Sequence, residues 1–247
     1  MKKLTESKYD FVLSFGDSTV AGCDLIPDCV DWELTKPLSF SNQLANKLNI
    51  PCINYAWTGG SNDRSLRLLP EALLTYPNSL VLFNYTYTDR TEFFTLNADF
   101  PQVENESYAG FGIHWQSTNK KHRQLNEIYL TEFYQNPDKH NRYKFYNTMI
   151  TVEALCQKYA KDFLHIFLCD ELFLPPDYQQ VLYDAIDKDK IYKFDSAQID
   201  SDWQKNNQGY GSLYYWAKMQ GDPYLPGWHI NQLSHDRFAI ELYNKFK

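Results

Sequence analysis

No stretch of this 247-residue chain approaches the ~20 consecutive apolar residues of a membrane-spanning helix. Two lysines follow Met1, but no apolar run stands behind them, so the start does not read as a secretory leader. Gly-x-Gly-x-x-Gly and Walker-type phosphate loops are absent. Basic residues are the minority: 24 Lys and Arg against 31 Asp and Glu give a net charge of −7. That balance speaks against the basic face needed to grip a nucleic-acid duplex. The five cysteines (Cys23, Cys29, Cys52, Cys156, Cys169) contain no Cys-x-x-Cys pair. Their odd number and scatter predict free thiols in a reducing compartment, with a Cys23–Cys29 bridge as the other reading. His114, His122, His140 and His165 have no ligand spacing with cysteines or acids. The expectation is a cytoplasmic protein with no metal, no cofactor, no membrane contact and no nucleic-acid partner. Oligomeric state is left open.

The residues present in surplus are aromatic: 16 Phe, 19 Tyr and 6 Trp, 17% of the chain. Tyr and Trp join an apolar face to a polar tip, so they line sugar-binding clefts as well as cores, and the core is the commoner use. Phe11 to Phe15 reads as a buried strand ending at Gly16, Ile50 to Ala56 as a second, Ser79 to Tyr85 as a third and Phe163 to Leu168 as a fourth. Helical spacing recurs over 39–48, over 61–74 with Ser61 or Asn62 as N-cap, over 144–161, and over 231–246. Residues 86–142 and 170–228 are long irregular excursions, the first with a short helix near 126–134 and the second with short pieces at 178–186 and 191–194. Nothing reads as a linker, so the expectation is one domain over 1–247. Alternating strands and helices predict an α/β fold, a mostly parallel sheet covered on both faces, with functional loops at the carboxyl ends of the strands.

Gly16-Asp17-Ser18 stands at the end of the first strand, where glycine lets the chain turn and places a serine on the sheet edge. Near the other terminus, His229 precedes the last helix and His235 lies within its first turns. Serine is a poor nucleophile until a neighbouring imidazole takes its proton, so a serine and a histidine on converging loops are what nucleophilic hydrolysis needs. His235 reads as structural.

Taken together, these segments resemble the SGNH (GDSL-like) serine hydrolases. The first family block is matched by Gly16-Asp17-Ser18, the second by Asn54-Tyr-Ala-Trp-Thr-Gly59-Gly60, and the last by His229-Ile-Asn231-Gln-Leu-Ser-His235 with Ala239. The resemblance implies a flavodoxin-like three-layer α/β/α sandwich and ester hydrolysis through an acyl-serine. It implies Ser18 as nucleophile and His229 as base, with the Ser18 amide and Gly59 donating to the oxyanion. Two family features are altered. The Asp expected three residues before the histidine is replaced by Pro226. Asp222, a backbone carbonyl, or Asp170 or Glu171 remain open as the group that holds the imidazole. The Asn expected after the third strand is replaced by Thr88, with Asn84 inside the strand and Asn62 in the preceding loop, so Thr88 and Asn62 are the candidate third oxyanion donors. Asp17, Trp57, Arg90 and Trp228 are the expected substrate-side residues. Arg90 would clasp a substrate carboxylate or fix the Thr88 loop, or form a local ion pair. The substrate implied is a small acyl ester, with an O-acetylated sugar as the specific case. A non-catalytic glycan- or protein-binding module and an O-acyltransferase are the competing readings.

Overall fold

The computed structural model describes residues 7–29, 31–88, 90–94, 108–111, 120–133, 137–169, 180–194, 211–225 and 229–247. Among these residues six strands form: β1 (Phe11–Phe15), β2 (Cys52–Asn54), β3 (Ser79–Tyr85), β4 (Thr91–Phe94), β5 (Tyr108–Phe111) and β6 (Asp162–Phe167). The helices are α1 (Trp32–Thr35), α2 (Phe40–Leu48), α3 (Asn62–Thr75), α4 (Lys120–Ile128), α5 (Pro137–Tyr159), α6 (Gln180–Asp184), α7 (Leu213–Met219) and α8 (Gln232–Phe246). Strands pair in the order β2-β1-β3-β6, and all three pairings are parallel. Leu13 of β1 lies between Ile53 of β2 and Val81 of β3.

Side-chain alternation on these strands creates two cores. Val12, Leu80, Leu82, Leu164 and Ile166 face one side, packed with Phe40 and Leu44 of α2, Trp216 of α7 and Phe238 and Leu242 of α8. Leu13, Phe15, Val81, Phe83 and Phe163 face the other, packed with Leu69 and Leu73 of α3 and Phe145, Met149 and Val152 of α5. A sheet whose strands are apolar on both faces must be covered on both, and the result is the expected three layers. Much of the aromatic surplus goes into this packing: Phe15 stacks on Tyr55 at 5.1 Å, and Tyr85 meets Phe145 edge-on at 5.1 Å.

Helix starts follow local chemistry. Ser61 Oγ accepts from the Arg64 amide at 3.1 Å to cap α3, and Asn231 Oδ1 accepts from Ser234 N at 3.0 Å to cap α8. The first excursion holds more structure than its composition suggests. α5 begins at Pro137 rather than at 144, because proline at the first helical position forfeits no helical hydrogen bond. The short helix expected near 126–134 is α4, ending in a wider turn over 129–133. The antiparallel hairpin β4–β5 and helix α7 escaped the sequence reading, since four-residue strands and a seven-residue helix show too little periodicity. The five cysteines are free thiols. Among the described residues no helix is long and apolar enough to cross a membrane, and no group of His, Cys, Asp or Glu is arranged to hold a metal ion.

His235 is fully buried at the start of α8. Its Nδ1 accepts the Phe40 amide at 3.0 Å and its ring stacks on Phe40 at 5.6 Å, so the proton resides on Nε2. Burial pushes its pKa down to about 3. In the unfolded chain a histidine protonates near pH ~6.5. As pH falls from there toward the folded-state value, the unfolded state holds an extra proton and stability declines, by about 1.4 kcal/mol per pH unit for one such group. His235→Asn keeps an acceptor for the Phe40 amide but cannot titrate. Urea unfolding between pH 4 and 7 should give a shallower loss of stability with acid in this variant than in the wild type.

Candidate active site

Beyond β1 the chain winds tightly. Ala21 N bonds Asp17 O at 3.0 Å, Gly22 N bonds Thr19 O at 3.0 Å, and Cys23 N bonds Ser18 O at 2.9 Å. Ser18 rides on this turn at the carboxyl edge of the sheet and is 7% exposed. Asn54 ties the turn to β2: its Nδ2 donates to Val20 O at 2.9 Å and its Oδ1 accepts from Ala56 N at 3.0 Å. The glycine loop then presses on the same corner, with Trp57 N bonded to Gly16 O at 3.3 Å and Gly60 N bonded to Trp57 O at 2.9 Å. A Cβ on Gly60 would sit 2.9 Å from the carbonyl oxygens of both Gly16 and Trp57, so only glycine fits.

His229 comes from the loop before α8. Leu225 N donates to His229 O at 2.9 Å, and Asn231 Nδ2 donates to Pro223 O at 2.9 Å. Tyr224 OH bonds Tyr214 O at 2.6 Å, and the Tyr214 hydroxyl bonds Thr19 Oγ1, so α7 ties the histidine loop to the serine turn. The two ends of the chain meet here: His229 Nε2 lies 2.7 Å from Ser18 Oγ. On the other side of the ring, His229 Nδ1 lies 2.7 Å from Asp24 Oδ2. An ionised carboxylate only accepts, so Nδ1 carries the proton and the Nε2 lone pair faces the serine hydroxyl. Asp24 adopts φ 64°, a left-handed conformation that aspartate tolerates better than most residues.

Asp24 is the residue the sequence reading missed, and Asp222 is corrected. Asp222 is buried, with Oδ2 accepting Ser234 Oγ at 2.8 Å and Oδ1 accepting Arg237 Nη1 at 2.8 Å, so it pins its loop to α8 and does not touch the imidazole. The acid comes instead from the serine's own turn, six residues on. The faint signal for it was an aspartate after Gly22 in a segment already bound to the sheet edge. Pro226, Trp228, Asp170 and Glu171 lie outside the described residues.

The remaining expected residues divide. Ser18 and Gly59 backbone amides donate to no protein acceptor among the described residues. Asn62, a candidate oxyanion donor, fastens the loop after β3: its Nδ2 donates to Thr86 O at 3.2 Å and its Oδ1 accepts from Thr86 N at 3.0 Å. Thr88 lies in that loop, half-buried. Asn84 lies within β3 and bonds Phe15 O at 2.7 Å. Asp17 is corrected as a substrate contact: it is 1% exposed, with Oδ1 accepting Thr19 N at 3.0 Å and Oδ2 accepting Thr86 Oγ1 at 2.6 Å and Arg90 Nη1 at 3.1 Å. Arg90, expected on a substrate carboxylate, on the Thr88 loop or in an ion pair of its own segment, is thereby engaged with Asp17, 73 positions away in the chain. Trp57 is half-buried in the glycine loop. Burial raises the nearby Cys23 thiol to about 12, and its Sγ lies 3.1 Å from Thr58 Oγ1, so it stays protonated and offers no competing nucleophile.

No family model matches the chain, and no curated protein matches it. Solved structures similar to it include a psychrotrophic esterase from a Pseudoalteromonas, at 13% identity over 95% of each chain and a TM-score of 0.40. A member of the lipolytic G-D-S-L family from Veillonella parvula is 13% identical over 95% of this chain and 98% of that one, TM-score 0.43. An acetyl-xylooligosaccharide esterase from a Geobacillus is 10% identical over 98% and 97%, TM-score 0.47. Likenesses this distant leave the chemistry to be read from the side chains of this chain.

Gly60→Ala puts a methyl group against two backbone carbonyls and should lower stability by about 1–3 kcal/mol. Thermal unfolding measures that loss, and an unchanged midpoint would mean the loop yields freely.

Proposed function

We propose that this chain is a serine esterase that acts through an acyl-Ser18 intermediate. One observation carries the reading: a continuous relay from Ser18 Oγ to His229 at 2.7 Å and from His229 to Asp24 at 2.7 Å. In the first step His229 Nε2 takes the hydroxyl proton as Oγ attacks the ester carbonyl carbon. The imidazolium that forms faces Asp24, whose negative charge stabilises it and holds the ring in the useful tautomer. Negative charge gathers on the former carbonyl oxygen, where the Ser18 and Gly59 amides are the donors we put forward, with the Thr88 hydroxyl as the candidate third. His229 then protonates the leaving alcohol, and the acyl group stays on Ser18. Water repeats the sequence with His229 as base, releasing the acid and restoring the serine.

The side chain of His229 is 16% exposed and that of Asp24 40%, so the relay reaches solvent, while Ser18 at 7% sits deeper. A recessed nucleophile favours a small acyl group, and an acetyl ester on a sugar is the substrate class we put forward. The binding-module reading was motivated by the replaced family Asp and the replaced Asn; the carboxylate of Asp24 at His229 answers the first, and Thr88 still stands in place of the second.

An activated acetyl ester and a fluorophosphonate probe test the reading. The wild type should turn over the ester and carry the phosphonate on Ser18, and Ser18→Ala should do neither. Asp24→Asn should lower kcat by ~10²–10⁴-fold, as loss of the orienting carboxylate does in serine hydrolases. Asp222→Asn should lower the melting temperature while leaving kcat within about tenfold, since one charged hydrogen bond is worth roughly 1.5–3 kcal/mol. A folded sample with neither turnover nor labelling at Ser18 would sink the proposal, and equal kcat losses in the two aspartate variants would sink the role of Asp24.

A further inference from the structure

The residue before the nucleophile carries a charge that the relay does not use. Asp17 is among the most buried acids of the described residues, at 1% exposure, and its carboxylate belongs to the turn that presents Ser18. Three donors reach it: Thr19 N at 3.0 Å, Thr86 Oγ1 at 2.6 Å and Arg90 Nη1 at 3.1 Å. Two of these are neutral. Among the described residues, the ion pair with Arg90 is the one salt bridge Asp17 makes. The guanidinium is itself held in place. The same Nη1 donates to Thr86 Oγ1 at 2.9 Å, and the group lies 4.9 Å from the centre of the Tyr87 ring. The Arg90 carbonyl accepts Lys144 Nζ at 2.7 Å from α5, and Lys144 pairs with Asp63 of α3 at 2.7 Å. The arginine side chain is only 14% exposed, so water screens the pair weakly.

We propose that Arg90 is a positioning residue that cancels the charge of Asp17, so that negative charge forming beside Ser18 meets no second, uncompensated one. This rests on the serine-esterase reading. Acyl transfer from an ester builds an anion at the carbonyl oxygen, and a buried carboxylate one residue from the nucleophile would oppose it through a low-dielectric path. Breaking a buried pair by removing one partner leaves the other charge desolvated and unpaired, whereas removing both leaves neither. Arg90 also links the loop after β3, which holds Thr88, to the serine turn, so the same contact holds two parts of the site in register.

The test is a double-mutant cycle on the full chain, with kcat and KM for an activated acetyl ester and the fluorophosphonate labelling rate at Ser18. Arg90→Gln should lower kcat by ~10–10²-fold with KM changed less than about threefold, an effect confined to the chemical step. Arg90→Lys, which keeps the charge, should recover most of the loss. Asp17→Asn should make Arg90→Gln nearly silent, the double variant matching Asp17→Asn within about threefold. If Arg90→Gln does not fold, the comparison of Asp17→Asn with the double variant decides: matching kcat supports the inference, and a further loss beyond about tenfold overturns it. A rise in KM with kcat intact would assign Arg90 to substrate binding and also overturn it. Wild-type labelling at Ser18 with uncoupled variants refutes only the Arg90 assignment, whereas a folded wild type that is never labelled refutes the esterase reading and this inference with it.

Discussion

His229 Nε2 and Ser18 Oγ stand 2.7 Å apart although 211 positions separate them in the chain. That hydrogen bond survives only if the turn after the first strand and the loop before the last helix are both held rigidly at one edge of the sheet. β1 supplies one anchor, paired on both sides by β2 and β3 and buried between two cores. α8 supplies the other: Asn231 caps it, Asp222 grips it through Ser234 and Arg237, and Phe238 and Leu242 sink into the core beside α2. Tyr214 and Tyr224 then bolt the two loops together. A displacement of about 1 Å between the two loops would stretch that contact beyond hydrogen-bonding distance.

Acids occupy three distinct positions around this corner, and burial distinguishes their work. Asp24 is the most exposed of the three and faces the imidazole. Asp17 is shut inside the turn and matched to Arg90. Asp222 is shut inside the histidine loop and matched to Arg237. The two buried carboxylates each have a guanidinium because an unpaired buried charge would destabilise the fold by several kcal/mol, on the order of 3–5. The acid at the ring faces an imidazole nitrogen instead of a guanidinium.

Apolar runs and helical spacing made the sheet and the terminal helix legible before any coordinates. Ser79 to Tyr85 is buried along its whole length and shows as seven residues of strand. Ser61 announces its helix because a side-chain oxygen at that position satisfies an otherwise orphaned amide. The four-residue strands of the β4–β5 hairpin lack such marks, and the helix read from 144 begins at Pro137. Asp222, one of the acids left open, faces away from His229 for an instructive reason. Nearness in sequence to His229 favoured it, but its loop folds so that its carboxylate turns into α8.

Residue order alone settles that this chain builds a covered parallel sheet with a serine on the turn after its first strand, because those features depend on local periodicity, glycine and capping. It also puts a histidine just ahead of the closing helix. Which acid stands behind that histidine, and that Asp17 and Arg90 face each other, are decided only when segments distant in the chain are packed together. A carboxylate and an imidazole 205 positions apart leave no joint mark in the sequence, since their contact is created by the tertiary fold.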